Sequence, residues 1–278
     1  MNGRSTPLGR TVTIVLAIVI AAWSAVPILW MILTSIKPQT AIRTREAVFV
    51  FAPTLENFNN LFFGGNKVGR FLVNSVITAG VSTLIAVVLG CLAGYGLAHW
   101  NSRFKKNVAF WVISTRMAPI AAVIVPLFVM FRTAGLVNTL PGLILAYLSF
   151  NLPFAIWMMS AFFEQVPKSI EEAALVDGCT KFQAFRSIAL PVSMPGVVTT
   201  AVLCLVFAWN DYAFSTALGG PQASTMPMAA GALVTQSGVD WGLLCALGVV
   251  VAVPMLFAGL AVRRHLVTGL SLGAVTGE

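Results

Sequence analysis

Charged residues are scarce in this sequence. Asp, Glu, Lys and Arg make up 9% of its 278 residues, hydrophobic residues make up 58%, and the mean hydropathy is +0.89. A soluble globular domain carries about 25% charged residues, so the composition excludes an ordinary soluble domain. It predicts a polytopic membrane protein.

Residues that build metal, redox or catalytic sites are also few. The four cysteines lie far apart, which predicts no disulfide framework, no metal site and no C-x-x-C redox motif. The two histidines, His99 and His265, fall at the ends of apolar segments, whereas a membrane-embedded enzyme needs clustered histidines or paired carboxylates within them. No stretch has the nucleotide-binding form G-x-x-x-x-G-K-S/T, so we do not expect this chain to hydrolyse ATP.

The excess of positive charge does not indicate a nucleic-acid partner. The formal net charge is +8, but the seventeen Lys and Arg residues are scattered at the ends of apolar segments instead of forming one basic face. Basic residues in that arrangement are typical signals of membrane topology. We therefore expect no binding to nucleic acid.

Six apolar stretches are long enough to cross a bilayer. A hydrocarbon core of about 30 Å takes about 20 helical residues to span. The predicted fold is therefore all-α, a single transmembrane domain over residues 1–278 with spans near 11–35, 72–98, 108–131, 141–163, 192–217 and 241–262. The first stretch resembles a secretory signal peptide, but its apolar character continues to Ile36, which favours an uncleaved signal anchor.

The distribution of Lys and Arg predicts that both termini lie in the cytoplasm. That orientation places ten basic residues inside, namely Arg4, Arg10, Arg103, Lys105, Lys106, Lys168, Lys181, Arg186, Arg263 and Arg264. Six lie outside, namely Lys37, Arg43, Arg45, Lys67, Arg70 and Arg132. Five of those six belong to the long loop 37–71, where basic residues influence topology least.

One hydrophilic stretch, residues 165–191, separates the fourth and fifth spans and is cytoplasmic in this topology. Pro167 suits the first turn of a helix, and Glu171 and Glu172 follow early in it, where carboxylates complement the positive end of the helix dipole. Asp177 and Gly178 then predict the end of that helix.

A second short helix is predicted directly after this break. Thr180 and Gln183 have the T-x-x-Q spacing of a capping box, and the helix is expected to continue through Arg186. The stretch therefore predicts a helix–turn–helix hairpin beneath the membrane. At helical spacing, one side of its second helix would carry Phe182, Phe185 and Ile188.

Arg116 in the third span is a candidate for the substrate path. An arginine within a membrane costs several kcal/mol unless it reaches water or a partner. Arg116 lies about 12 Å along a helix that begins at Val108, so two interpretations stay open: a snorkelling helix-end anchor, or a pathway or subunit contact. Pro119 and Pro126 predict that this helix is kinked and buried.

Asn151, Trp209 and Asn210 are further candidates for the substrate path. Asn151 lies within the fourth span, and Asn210 lies about 27 Å along the fifth, in the outer third of the membrane. Trp209 is equally typical of an interfacial aromatic belt. Asp211 is expected near the outer water layer, about 15 Å in depth from Arg116, so these two side chains should not pair directly.

The hairpin carries a family resemblance. Glu172-Ala173-Ala174, followed three residues later by Gly178 and then by Ile188-Ala189-Leu190-Pro191, resembles the cytoplasmic EAA loop of permease subunits of binding-protein-dependent ABC importers. Pro167 before it and Pro195-Gly196 after it are similar to the carbohydrate-importing, maltose-permease (MalG-like) branch. Further stretches also resemble this family: Glu56-Asn57-Phe58, Asn74-Ser75, Trp209-Asn210-Asp211 and the tail Gly269-Leu270-Ser271-Leu272-Gly273-Ala274-Val275. One departure is Cys179, where the family more often has Ala.

The resemblance implies a type I ABC importer permease, not an enzyme. Its loop would dock into a groove on a cytoplasmic ATPase through Glu171, Glu172, Ala173, Ala174, Asp177 and Gly178. It further implies a second permease subunit, two ATPase subunits that bind ATP and Mg, an extracytoplasmic solute-binding protein and a carbohydrate substrate. This chain would bind no cofactor and no metal, and would lie among the lipids of a bacterial or archaeal cytoplasmic (inner) membrane.

Two alternatives stay open. An ABC permease of this kind could import amino acids, phosphate or peptides instead of a sugar. A stand-alone secondary transporter is a less favoured alternative, because such proteins commonly show internal repeats and ionisable residues in mid-span. This sequence shows no convincing repeat, and Arg116 is a lone charge.

Overall fold

The computed structural model describes residues 7–44, 46–65, 68–235 and 238–273. Arg4, Arg45 and Lys67, three of the basic residues that predict the topology, lie outside the described residues, as do Ala274 and Val275 of the tail stretch. The helices before the hairpin are α1 (Pro7–Ser35), α2 (Gln39–Ile42), α3 (Glu56–Phe63), α4 (Val68–Ala98), α5 (Lys105–Ser114), α6 (Ile120–Thr133) and α7 (Leu140–Glu164).

The remaining helices begin with those of the hairpin. They are α8 (Lys168–Val176), α9 (Lys181–Ala184), α10 (Leu190–Val192), α11 (Met194–Trp209), α12 (Gly220–Ala223), α13 (Met226–Ala232) and α14 (Trp241–Gly273). A 3₁₀ turn covers Thr115–Met117, and π-helical turns cover Phe185–Ala189 and Ser215–Gly219. Two short strands, β1 (Val234–Thr235) and β2 (Gly238–Val239), pair antiparallel.

Membrane-spanning helices account for most of the chain. Four are single apolar helices, at Gly9–Ser35, Val68–Ala98, Leu140–Glu164 and Trp241–Leu260. Two bent helix pairs also have the length and composition of a span: Lys105–Met117 with Ile120–Thr133, bent by 85°, and Lys181–Val192 with Met194–Trp209, bent by 75°. Counting each pair as one span gives six, so the predicted all-α polytopic fold is confirmed.

Two of the predicted spans, 108–131 and 192–217, contain a helix break. The third span breaks at Ala118 and Pro119, whose backbones are extended, with ψ of 132° and 125°. The residue before a proline is disfavoured in helical conformation, so Pro119 ends the first half of the span at Met117. The fifth span breaks at Ser193, and Pro195 stands in the first turn of α11, where its missing N–H breaks no helical hydrogen bond.

The third span is kinked as predicted, but the prediction that it is buried is wrong for the described part of the chain. No residue of α5 or α6 is buried. Because of the bend at Pro119, α5 packs along α7 and leaves much of its own surface exposed, including Phe110 and Trp111, which are 68% and 69% exposed.

The chain divides into two compact units: Met1–Val68 with Ala232–Val253, and Gly69–Gly231 with Pro254–Glu278. In the first unit, the fully buried Asn57 donates from Nδ2 to the carbonyls of Ser35 and Lys37, at 2.9 Å each. Gln39 Nε2 donates to Asn57 Oδ1 and to Asp240 Oδ1, at 3.2 Å each. These bonds hold α3 against the chain that leaves α1, so the Glu56-Asn57-Phe58 stretch has a structural role. The predicted single domain stays a prediction.

In the second unit, α4 packs closely on α7. A Cβ added at Gly90 would meet Ala155 Cβ at 2.6 Å, and one added at Gly94 would meet Met159 Cβ at 2.9 Å. Small residues at these two positions therefore allow the two helices to approach closely. Around it lies a core of Val87, Cys91, Ala98, Met159, Phe163, Phe185 and Ala189.

Adding one methyl group at this contact is expected to destabilise the second unit. Gly90→Ala and Gly94→Ala should each cost about 1–3 kcal/mol, since overpacking forces helices apart. The thermal unfolding midpoint of the purified protein measures this. Gly80→Ala is the matched control, because nothing lies within 4 Å of its added Cβ and alanine favours helix. An unchanged midpoint in both contact variants would show that α4 and α7 can separate freely.

The Asn74-Ser75 stretch fixes the start of α4 in the same unit. Asn74 Nδ2 donates to the carbonyls of Gln222 and Ser224, at 3.1 and 2.9 Å. Ser75 Oγ accepts from the backbone N–H of Met226 at 2.8 Å. Both side chains are buried, so they satisfy backbone groups that would otherwise lie unpaired in an apolar region.

Candidate functional site

The hairpin of residues 165–191 is a sharply turned pair of helices, as predicted. Its first helix, α8, ends at Val176, and Gly178 follows with φ of +89°, a backbone conformation that only glycine adopts without strain. The backbone N–H of Gly178 donates to the Leu175 carbonyl at 3.2 Å, and that of Cys179 donates to the Ala174 carbonyl at 3.0 Å. These bonds close the end of α8 and direct the chain into the second helix.

The second helix of the hairpin starts at the predicted capping box. Thr180 Oγ1 accepts from the Gln183 N–H at 3.3 Å, and Gln183 Oε1 accepts from the Thr180 N–H at 2.7 Å. The helix extends past Arg186 through a π-helical turn into α10, which is longer than predicted. Phe182 and Phe185 lie on a common side, with ring centroids 6.0 Å apart, although Phe185 is buried and Phe182 is 62% exposed.

Glu171 attaches α8 to the end of α4. Its carboxylate is buried and accepts from Tyr95 Oη at 2.6 Å and from His99 Nε2 at 3.1 Å. The Nδ1 of His99 lies 3.0 Å from the Tyr95 carbonyl, so the ring is held between two acceptors. We call this group of Tyr95, His99 and Glu171 the latch. Sequence reasoning missed Tyr95 and His99, although their spacing of four residues at the end of an apolar helix places both on one face.

The predicted coupling residues divide between two sides of α8. Glu171 and Ala174 face the protein, whereas Glu172, Ala173 and Asp177 are exposed. The exposed side also carries apolar residues, with Ile170, Leu175 and Val176 exposed by 46%, 41% and 87%. An exposed helix face of this mixed character suits contact with another protein.

A cavity of about 290 Å³ lies at the bend of the third span. Its lining includes polar and aromatic side chains: Thr115, Arg116, Ser149, Phe150, Phe207, Asp211 and Phe214. The guanidinium carbon of Arg116 lies 4.1 Å from the ring centroid of Phe207 and 4.5 Å from that of Phe154. Arg116 therefore sits in the 3₁₀ turn at the break of the span, with its charge over two aromatic faces.

Asp211 lines the same cavity as Arg116. Its Oδ2 accepts from the Ser215 backbone N–H at 3.1 Å. In the described part of the chain the two charged groups form no ion pair within 4.0 Å, which agrees with the prediction. Straight-helix depths did not predict that both residues would line one cavity, and the bends of the third and fifth spans bring them there. The placement of Asp211 near the outer water layer stays a prediction.

The other substrate-path candidates lie elsewhere. Asn151 is fully buried and donates to the Cys204 carbonyl at 3.1 Å, which ties α7 to α11. Trp209 is buried at the end of α11, and Asn210 is exposed and donates to the Val206 carbonyl at 2.8 Å. None of these three lines the cavity of Arg116. Sequence reasoning missed Phe150 and Phe214, since apolar residues in an apolar span carry no distinguishing signal.

Together, the apolar spans, the two bent pairs and the hairpin between the fourth and fifth spans define an integral membrane protein with the permease fold of type I ABC importers. A solved structure supports this class: a bacterial ABC transporter involved in the import of the acidic polysaccharide alginate matches with a TM-score of 0.73 and 22% identity, over 95% of this chain and 98% of the other. Residues 86–267 match the family model described as "Binding-protein-dependent transport system inner membrane component". The chain belongs to that family, which is a permease family and not an enzyme family.

Two relatives are similar over nearly their whole length. The trehalose transport system permease protein SugB of Mycobacterium tuberculosis is 35% identical over 95% of this chain and 96% of its own length. The trehalose/maltose transport system permease protein MalG of Thermococcus litoralis is 28% identical over 99% of this chain and 100% of its own. The resemblance found in the EAA loop is therefore confirmed along the whole chain.

Proposed function

We propose that this chain is a permease subunit of an ATP-driven sugar importer in a bacterial or archaeal cytoplasmic membrane. The observation that carries the proposal is the hairpin: α8 presents an exposed face of Glu172, Ala173 and Asp177, with Gly178 closing its end. Family membership supports import that depends on a binding protein. The names of the two relatives, a trehalose and a trehalose/maltose transport system permease protein, support a carbohydrate as the substrate.

In this proposal α8 docks into a groove of a cytoplasmic ATPase subunit. Ala173 permits close approach, while Glu172 and Asp177 provide polar anchors around it. Gly178, by ending α8 abruptly, keeps the helix short enough to enter a groove. Glu171 and Ala174 act on the other side, where they connect the docked helix to α4 and to the core of the second unit. Movement of the ATPase is thereby transmitted to a membrane span.

The proposed complex contains one further permease subunit, two ATPase subunits that bind ATP and Mg, and an extracytoplasmic solute-binding protein. This chain would form half of the translocation pathway. ATP-driven closure of the ATPase pair would shift the two permeases between inward-open and outward-open states, because each nucleotide state binds one arrangement better than the other.

A sugar panel tests the proposal. In a strain that lacks this chain, we expect growth on and uptake of at least one sugar to be lost and then restored by the gene. Reconstituted alone in liposomes, the chain should transport nothing, whereas the full complex with ATP should import the sugar. Uptake by the chain alone would indicate a secondary transporter, and loss of amino-acid or phosphate uptake instead of sugar uptake would indicate a different importer.

The topology of the proposal is tested by cysteine labelling. Lys168 is exposed at the start of α8, so Lys168→Cys should react with a membrane-impermeant maleimide only from the cytoplasmic side. Cys179 lies in the same hairpin and must first be replaced by Ser. Arg132→Cys, exposed at the end of α6 and predicted outside, is the matched control and should react only from the outer side. Labelling of Lys168→Cys from outside would overturn the orientation.

A further inference from the structure

The cavity at the bend of the third span contains an unusual set of groups for a membrane interior. It combines a guanidinium, a carboxylate and hydroxyls with three aromatic rings. Charged residues at membrane depth are costly, and they typically mark a pathway for a polar solute. We infer that this cavity is a subsite for one ring of a neutral sugar, held by Arg116 and Asp211 on the transport path; the inference rests on the proposed function.

Aromatic rings form the walls that would contact the faces of the sugar. Phe150 and Phe214 are stacked with centroids 5.8 Å apart and planes at 13°, and both line the cavity. Phe207 lines it as well. The face of an aromatic ring is electron-rich, so it attracts the weakly positive C–H groups on the face of a pyranose. The aromatic part of the lining thus suits a flat, partly apolar ring.

Arg116 has its hydrogen-bond donors available for the ring substituents. The guanidinium carries five N–H donors in its plane, and no carboxylate or carbonyl acceptor binds them in the described part of the chain. Its guanidinium carbon lies over the rings of Phe207 and Phe154, which carry no oxygen that could accept its N–H groups. Two N–H groups of one guanidinium can bind two neighbouring oxygens of a sugar.

The acceptors of the cavity complement these donors. Asp211 Oδ2 accepts from the Ser215 N–H, and the Phe214 N–H and the Tyr147 hydroxyl also interact with the carboxylate. A carboxylate has about four lone-pair sites, so at least one stays available for a sugar hydroxyl. The hydroxyl hydrogens of Thr115 and Ser149 are already donated to the carbonyls of Val112 and Ala146, at 2.7 and 2.6 Å. Towards a ligand, both hydroxyls can therefore only accept hydrogen bonds. A ligand that offers many O–H donors as well as acceptor oxygens matches this arrangement.

Charge and volume restrict the ligand further. One cationic and one anionic side chain leave the cavity without net charge, so an acidic sugar gains from Arg116 but is repelled by Asp211. A volume of about 290 Å³ lies at the lower end of ligand pockets, which start at about 300 Å³. The cavity therefore accommodates a single ring, and a longer sugar would pass through it one ring at a time.

The position of the cavity is consistent with a path. It lies where Thr115–Met117 form a 3₁₀ turn between two helix halves bent by 85°. Interrupted helices at membrane depth are tolerated where the backbone lines a cavity or is covered by protein, and transporters use them at substrate sites.

The test uses the assembled complex in proteoliposomes, with radiolabelled trehalose and maltose as probes. Sugar uptake and binding-protein-stimulated ATP hydrolysis are measured in parallel for Arg116→Gln, Asp211→Asn and the control Arg132→Gln. Arg132 carries the same charge at the exposed end of α6, away from the cavity. Both cavity variants should import about tenfold less sugar per ATP hydrolysed, which corresponds to about 1.4 kcal/mol, while the ATPase rate stays within about twofold. The control should match the wild type.

The outcomes separate the subsite from other roles. If both cavity variants import as much sugar per ATP hydrolysed as the wild type, the proposed subsite is wrong. The proposal that the chain imports sugar would not be affected by that result. A parallel fall in uptake and ATP hydrolysis would also overturn it, since the residues would then support folding or coupling. Arg116→Lys keeps the charge but loses the planar pair of donors, and should give an intermediate ratio. If the wild-type complex imports neither probe nor any sugar of the panel, the proposed function fails and the subsite fails with it.

Discussion

Gly178→Pro is expected to leave the protein inserted in the membrane and to abolish sugar uptake. Gly178 has φ of +89°, whereas proline is fixed near −65°, and its N–H donates to the Leu175 carbonyl, a bond that proline cannot make. The end of α8 must therefore rearrange, and Asp177 and Cys179 move with it. Because the strain is confined to the turn after α8, the apolar spans should still insert.

Glu172→Lys is also expected to leave the protein inserted and to impair sugar uptake, but through a changed charge and not through a changed backbone. Glu172 is exposed on α8, so the substitution should not disturb the fold of the hairpin. Reversing a charge at a docked contact places like charges together or leaves a partner charge unpaired, which costs about 2–5 kcal/mol. Uptake should fall by about 100-fold, the effect of roughly 2.8 kcal/mol.

Two matched controls make this prediction specific. Gly135 also has positive φ, +69°, and donates to a carbonyl three residues back, but it lies in the turn after α6. Gln165→Lys adds a positive charge just before α8 at an exposed position. Gly135→Pro and Gln165→Lys should keep ATPase subunits bound to the permease during purification, whereas Gly178→Pro and Glu172→Lys should lose them. Normal sugar uptake in both hairpin variants would show that the hairpin does not couple the permease to the ATPase.

The hairpin was predictable because its signals are local. Gly178 ends a helix, and Thr180 and Gln183 cap the next one, through contacts within a few residues. The six apolar spans follow from length alone. By contrast, the π-helical turns Phe185–Ala189 and Ser215–Gly219 have no recognisable sequence signal and shift the faces of the residues that follow them.

The cavity could not be predicted because it depends on bend angles. Treating each span as a straight helix placed Arg116 and Asp211 about 15 Å apart in depth. Pro119 predicted a kink in the third span. The direction of that kink depends on what the two halves of the span pack against. The inward orientation of Glu171 also required tertiary information, since its partners Tyr95 and His99 are more than 70 residues earlier in the chain.

Glu171→Ala is expected to separate docking from coupling. The substitution removes the acceptor of Tyr95 Oη and His99 Nε2, and leaves the exposed face with Glu172, Ala173 and Asp177 unchanged. Deleting a charged, buried hydrogen-bond partner costs about 1.5–3 kcal/mol. The ATPase should therefore still bind to α8, but movement of α8 should no longer be transmitted fully to α4. Sugar uptake should fall by about tenfold or more, while ATP hydrolysis loses its stimulation by the binding protein.

Comparing Glu171→Ala with substitutions of two neighbouring carboxylates, Glu164 and Glu172, shows whether the latch transmits movement. Glu164→Ala is the matched control, because Glu164 forms an exposed ion pair with Lys105 at 2.8 Å, and such pairs contribute little. Glu171→Ala should retain its ATPase subunits, unlike Glu172→Lys, and Tyr95→Phe, which removes one hydrogen bond, should show a smaller loss of stimulation. If Glu171→Ala keeps stimulated ATP hydrolysis and uptake at wild-type rates, the latch only stabilises the hairpin, and coupling must reach the spans through the packing of Phe185 on the core of α4 and α7.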